Sequence, residues 1–154
     1  MSDASPSSHR PRFVVHSYDQ AVAALQAASS HDRAIEILSA TGAARAAGAG
    51  WWRELVEQAS AAVPGVDAVW ILDCADEPGL ALAALREGVE AVSLDGDGPA
   101  WQRVADIARQ SGADLRRADH AGALDLARAN NPQQECERHL GEAPDGVAKP
   151  RALG

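Results

Sequence analysis

A chain of 154 residues, 46% hydrophobic and 23% charged, has the size of one globular domain and enough apolar content to build a core without disulfides or metal. Its formal charge of -8 excludes a general nucleic-acid-binding role, because phosphate contacts need clustered cations and the tightest basic group here is Arg116-Arg117. The same acidity disfavours anionic membrane surfaces, and no apolar run reaches the length of a bilayer span, so neither nucleic acid nor membrane is expected as a partner.

Residues 1–11 are rich in Ser and Pro and read as a flexible N-terminal segment. The opening "MSDASPSSHRPR" carries no apolar stretch of the kind a secretory signal needs, which leads to the expectation of a cytoplasmic protein. The first β-rich run is Arg12 to His16, followed by helical spacing from Tyr18 to Ala28. A second run, Ala34 to Leu38, opens into the Gly/Ala-rich stretch "SATGAARAAGAGWW" and a helix from Gly50 to Val63. The third, Ala68 to Leu72, leads through "DCADEPG" into a helix over Gly79 to Glu87; the fourth, Glu90 to Leu94, leads into a helix over Pro99 to Gln110. A weaker run at Ala113 to Arg117 and helical spacing at Ala121 to Ala129 close the series.

Pro78 and Pro99 stand where a first helical turn tolerates a missing N–H, and Gly88 and Gly112 stand where a helix end needs a left-handed residue. From Asn130 onward periodicity fades and Pro132, Pro144 and Pro150 interrupt the chain, so residues 130–154 read as a polar tail or arm that includes Cys136. The domain proper is 12–129. Strand and helix alternate with crossovers long enough for parallel pairing, so the expected fold class is α/β. It is a single domain of about five βα units with a mainly parallel sheet, flavodoxin-like or half-barrel-like. The segment "GLALAALREGVEAVSLDG", residues 79–96, resembles a helix-then-strand segment of the small aldolase-type barrels. Those enzymes form a Schiff base on a strand Lys, whereas the single Lys of this chain is Lys149, in the tail.

In parallel α/β sheets the ligand site lies beyond the carboxyl ends of the strands, where loops and helix N-termini converge. That rule gathers His16, Ser17 and Tyr18 after the first strand, Ser39, Thr41, Gly42 and Arg45 after the second, and Asp73, Cys74 and Asp76 after the third. Asp95 and Asp97 follow the fourth strand, and Asp119 and His120 the fifth. Asp73 and Asp95 are candidate acid/base groups, or oxygen ligands for a divalent metal, a role Asp76 and Asp97 could share. Against this, carboxylates just before helices commonly cap backbone N–H groups. Cys74, at a strand end before a helix, is a candidate nucleophile with His16 as its base, although the flanking carboxylates oppose a thiolate and a free Cys is a common core residue. No zinc-ligand spacing is present, and two cysteines make no disulfide framework.

The Gly/Ala-rich stretch could cradle a small anionic ligand on its N–H groups, with Arg45 as counter-charge, although it matches no phosphate-loop pattern. Trp51 and Trp52 are adjacent at a helix start, so both cannot enter one core; a subunit contact is the favoured use of the outer one. The resulting expectation is a self-associating module, a homo-oligomer that binds a small molecule or a partner at its strand-end rim. The alternatives are a lyase- or hydrolase-type enzyme using the strand-end aspartates, and a non-catalytic structural scaffold.

Overall fold

In the computed structural model, residues 10–142 are described. Residues 1–9 and 143–154, which hold most of the N-terminal segment and the second half of the tail, lie outside them. The first four strands arise at short runs rich in β-branched and aliphatic residues: β1 (Arg12–Val15), β2 (Ile35–Ser39), β3 (Ala68–Asp73) and β4 (Ala91–Ser93). The edge strands are short, β5 (Asp114–Arg116) with three residues and β6 (Leu124–Asp125) with two. Helices α1 (Tyr18–His31), α2 (Ala43–Ala46), α3 (Ala49–Ala62), α4 (Pro78–Arg86), α5 (Pro99–Ser111) and α6 (Pro132–Gly141) connect and follow them.

The helix ends obey local chemistry. The Ser17 hydroxyl caps α1 by accepting from the Gln20 N–H at 3.2 Å, prolines occupy the first turns of α4, α5 and α6, and Gly112 closes α5 in a left-handed conformation, φ +76°. Neither Asp76 nor Asp97 is the cap residue expected of it: Glu77 and Gly98 hold those positions, and no side-chain cap bond forms at either helix.

All strands are parallel, in the order β5-β4-β3-β2-β1-β6. From β1 to β5 each strand is laid beside its predecessor in one direction, and right-handed crossovers then put every connecting helix on the same face. The core follows from this. Phe13, Val15, Ile35, Ile37, Leu72, Val92 and Leu94 face Leu25, Trp52, Leu55, Leu85 and Val104 of the helices, while Val14, Leu38, Ile71 and Ala91 alternate to the other face. The fold is thus a single open parallel α/β sheet, consistent with the flavodoxin-like class in its parallel six-strand sheet with helices and half-barrel-like in its sequential strand order and one-sided connecting helices.

Strands β3 and β4 separate β2 from β5 by about 14 Å across the sheet, and the long side chains bridge that distance, with Arg116 Nη1 of β5 2.7 Å from Glu36 Oε2 of β2. Glu36 is buried, and Arg12 holds its other oxygen at 3.2 Å. The return from β5 to β6, residues 117–123, crosses the face of the sheet opposite the connecting helices. Arg12 donates there to the carbonyls of Asp119 and Ala121, and His120 Nε2 lies 3.0 Å from the Ser39 carbonyl.

Two local expectations are corrected. Residues 121–129 form not a helix but β6 and a single 3₁₀ turn (Leu126–Arg128), because Leu124 and Asp125 pair with Phe13 and Val14 of β1. The stretch from Asn130 is not wholly a tail. Asn131 caps α6, which packs on α1 and buries Cys136 and Leu140 completely or nearly so. With only those two apolar anchors in the helix, its period was too faint to read.

Candidate functional site

The parallel register aligns the strand ends: Val15 pairs with Ser39, and Asp73 with Ser93, which in turn pairs with Arg116. The rim read from the sequence therefore exists as one edge, and Asp73 is its organiser. The carboxylate is 1% exposed. Its Oδ2 accepts from the N–H groups of Gly42 at 2.7 Å and Ala75 at 3.1 Å, its Oδ1 accepts from the Ser93 hydroxyl at 2.7 Å, and its own N–H donates to the Ser39 hydroxyl at 2.9 Å. One side chain thereby fixes the loops after β2 and β3 against β4. Gly42 at φ +73° and Ala75 at φ +53° both bend into the left-handed region to present their N–H groups, and the Ala75 carbonyl accepts from the Asp95 N–H at 2.7 Å.

Above this frame opens a cavity of about 330 Å³, lined by Thr41, Asp73, Ala75, Asp76, Asp95, Ala118, Asp119 and His120. Asp76 and Asp95 are exposed, and neither carboxylate bonds to a described residue. Asp119 Oδ1 accepts from the Ala121 N–H at 2.9 Å. Asp97 is exposed but does not line the cavity. Among the described residues no group of three or more His, Cys, Asp or Glu side chains is gathered closely enough to hold a metal ion.

Cys74 and His16 are not brought together as nucleophile and base. Cys74 is wholly buried, its thiol turned to the Leu72 carbonyl at 3.8 Å; burial, with Asp73 and then Glu77 adding to it, pushes the thiol up to about 12. His16 instead lies at the β1/β6 side of the rim, its Nε2 2.7 Å from Asp125 Oδ1. Burial tends to raise the Asp125 carboxyl, but the Ala127 N–H, the His16 contact and the nearby His120 outweigh it and leave its pKa below the usual carboxylate value. Asp125 was hidden from sequence reasoning by the helical spacing of Ala121 to Ala129. The alternation in "ALDLA" is the signal that marks it as a strand residue.

The remaining candidates divide between structural bonds and exposure. Ser39 is buried with its hydroxyl donated to the Ala40 carbonyl at 3.0 Å, Ser17 is spent on capping, and Tyr18 is 41% exposed on the first turn of α1. Arg45 is paired with Glu77 at 2.5 Å, and α2 interrupts the Gly/Ala-rich stretch, so the counter-charge for an anion is already engaged. Trp52 enters the core at 1% exposure and Trp51 packs half-buried against it, ring centres 5.9 Å apart.

No protein-family model matches this chain, and no curated protein is significantly similar to it.

Proposed function

We propose that this chain is a self-associating binding domain that takes a small polar molecule in the strand-end cavity. The observation that carries the reading is Asp73. A fully buried carboxylate spent on holding two left-handed backbone positions around a cavity is a frame built in advance of its ligand. With Asp76, Asp95 and Asp119 at its mouth and Arg45 engaged elsewhere, the cavity favours hydroxyl or amine groups over the small anion expected from the sequence. Self-association draws on the half-buried Trp51 and on the two short open edges, β5 and β6.

The test is native mass spectrometry of the purified chain. A bound mass lost on denaturation, and absent from an Asp95→Asn variant with an unchanged melting temperature, supports the reading, as does an assembly mass above the monomer. A bare chain that gains no thermal stability from any of a panel of polyols and amines sinks it. A lyase- or hydrolase-type reading draws on the His16–Asp125 pair at the β1/β6 side of the rim, since a carboxylate-oriented imidazole is a general-base arrangement, although neither residue lines the cavity. It predicts that His16→Gln removes turnover and leaves ligand binding intact.

A further inference from the structure

A second cavity lies on the helix-covered face, away from the strand-end rim. Helix α3 packs on α1, and α4 packs on α5, but α3 and α4 approach each other far less closely. Beside α3, near the turn from α4 to β4, Trp70 of the interior strand β3 is only partly buried. The space is about 250 Å³, with Trp52, Trp70, Val56 and Val89 as its apolar surface and Arg53, Glu57 and Glu90 at its mouth.

Three features point to a ligand. Trp52 and Trp70 meet edge to face with centroids 6.0 Å apart, a ready surface for a further ring. Trp52 is 1% exposed, yet its indole N–H makes no hydrogen bond to any described residue, and a buried donor of this kind calls for an acceptor. Arg53 lies over Gly88, its Nε 3.8 Å from where a Cβ would stand, and it forms no ion pair with a described residue; Glu57 and Glu90 form none either. A cavity of about 150 Å³ takes a benzene ring, so this one has room for a ring and a short polar head. The mouth offers both signs of charge.

We propose that the cleft between α3 and the turn from α4 to β4 binds a small aromatic zwitterion of the α-amino-acid class. The ring lies against Trp70 and Val89, the carboxylate meets Arg53, and the ammonium meets Glu57 and Glu90. The probe is L-phenylalanine, titrated into the full chain while indole emission and amide chemical shifts are followed. 2-Phenylethylamine, which lacks the carboxylate, and 3-phenylpropionate, which lacks the ammonium, serve as comparisons. Saturable shifts at Trp52, Trp70 and Val89 are expected, with each comparison compound binding at least about tenfold more weakly. Arg53→Ala should weaken phenylalanine about tenfold and leave 2-phenylethylamine unchanged. Equal binding of all three compounds would overturn the assignment in favour of a plain apolar cleft, as would no saturable shift at millimolar phenylalanine. Asp95→Asn should leave this titration unaltered, which separates its outcome from that of the strand-end site.

Discussion

Removing the Asp73 carboxylate should unfasten the rim. In Asp73→Ala, the N–H groups of Gly42 and Ala75 and the Ser93 hydroxyl lose their shared acceptor in a site where the carboxylate was 1% exposed. At about 1–3 kcal/mol for each group left unsatisfied, and with some water reaching the two half-buried N–H groups, the loss is about 3–6 kcal/mol. Asp73→Asn behaves differently. Its amide oxygen can still accept from both N–H groups and its NH₂ can donate to the Ser93 oxygen, so only the charge assistance is lost, at about 1–2 kcal/mol. Urea unfolding followed by circular dichroism reads both variants, and an unchanged m-value would show that the denatured state is the same. The order wild type, Asn, Ala is the expected result. If Asp73→Ala unfolds within about 0.5 kcal/mol of wild type, the carboxylate does not hold the loops and the preorganised frame is wrong.

Ala75→Gly should be neutral or slightly stabilising, against the usual cost of an Ala-to-Gly change, because Ala75 sits at φ +53°; a loss above about 1 kcal/mol by denaturant melt would contradict the strain assigned there. Glu36→Gln should destabilise by about 1–3 kcal/mol, since it leaves Arg12 and Arg116 facing a neutral buried group; an unchanged midpoint would mean the ion pairs do not fasten β5 and β1 to β2. His139, half-buried on α6 with its ring 5.3 Å from that of Phe13, has its pKa lowered by burial, against smaller opposing effects from Glu142 and the Arg12 backbone. The folded state therefore binds this proton less readily than the unfolded one. Stability should be full above the ordinary value of 6.5 and fall as pH drops below it, and His139→Leu should flatten that limb. Cys74 and Cys136, both buried with thiols pushed up to about 12, should resist a thiol-exchange reagent at pH near 8 and react only after urea is added.

The sequence alone determined the order of elements through β5, apart from the short helix α2, which the Gly/Ala-rich stretch conceals. Short apolar runs at Phe13 to Val15, Ile35 to Leu38 and Ala68 to Leu72, and helical spacing between them, mark buried strands and their crossovers, and the Pro and Gly positions follow from backbone sterics. The same reasoning located the rim, because a parallel sheet leaves its functional loops at one end. Where periodicity weakened, reading failed. Leu124 and Asp125 are a strand only because Phe13 and Val14 stand beside them, and α6 is a helix of two apolar anchors that gains its stability from α1.

Tertiary structure decided what the side chains are for. Asp73 and Cys74 are neighbours in the chain, but strand alternation turns one toward the cavity frame and the other into the core. Neither the strand order nor the contact of Arg116 with Glu36, 80 residues away, has any local signature, because both arise from pairings between segments distant in the chain. The pairing of His16 with Asp125, 109 residues away, and the cavity beside α3 in which Trp70 stays partly exposed likewise come into being only when the strands pair in register and the helices settle on one face.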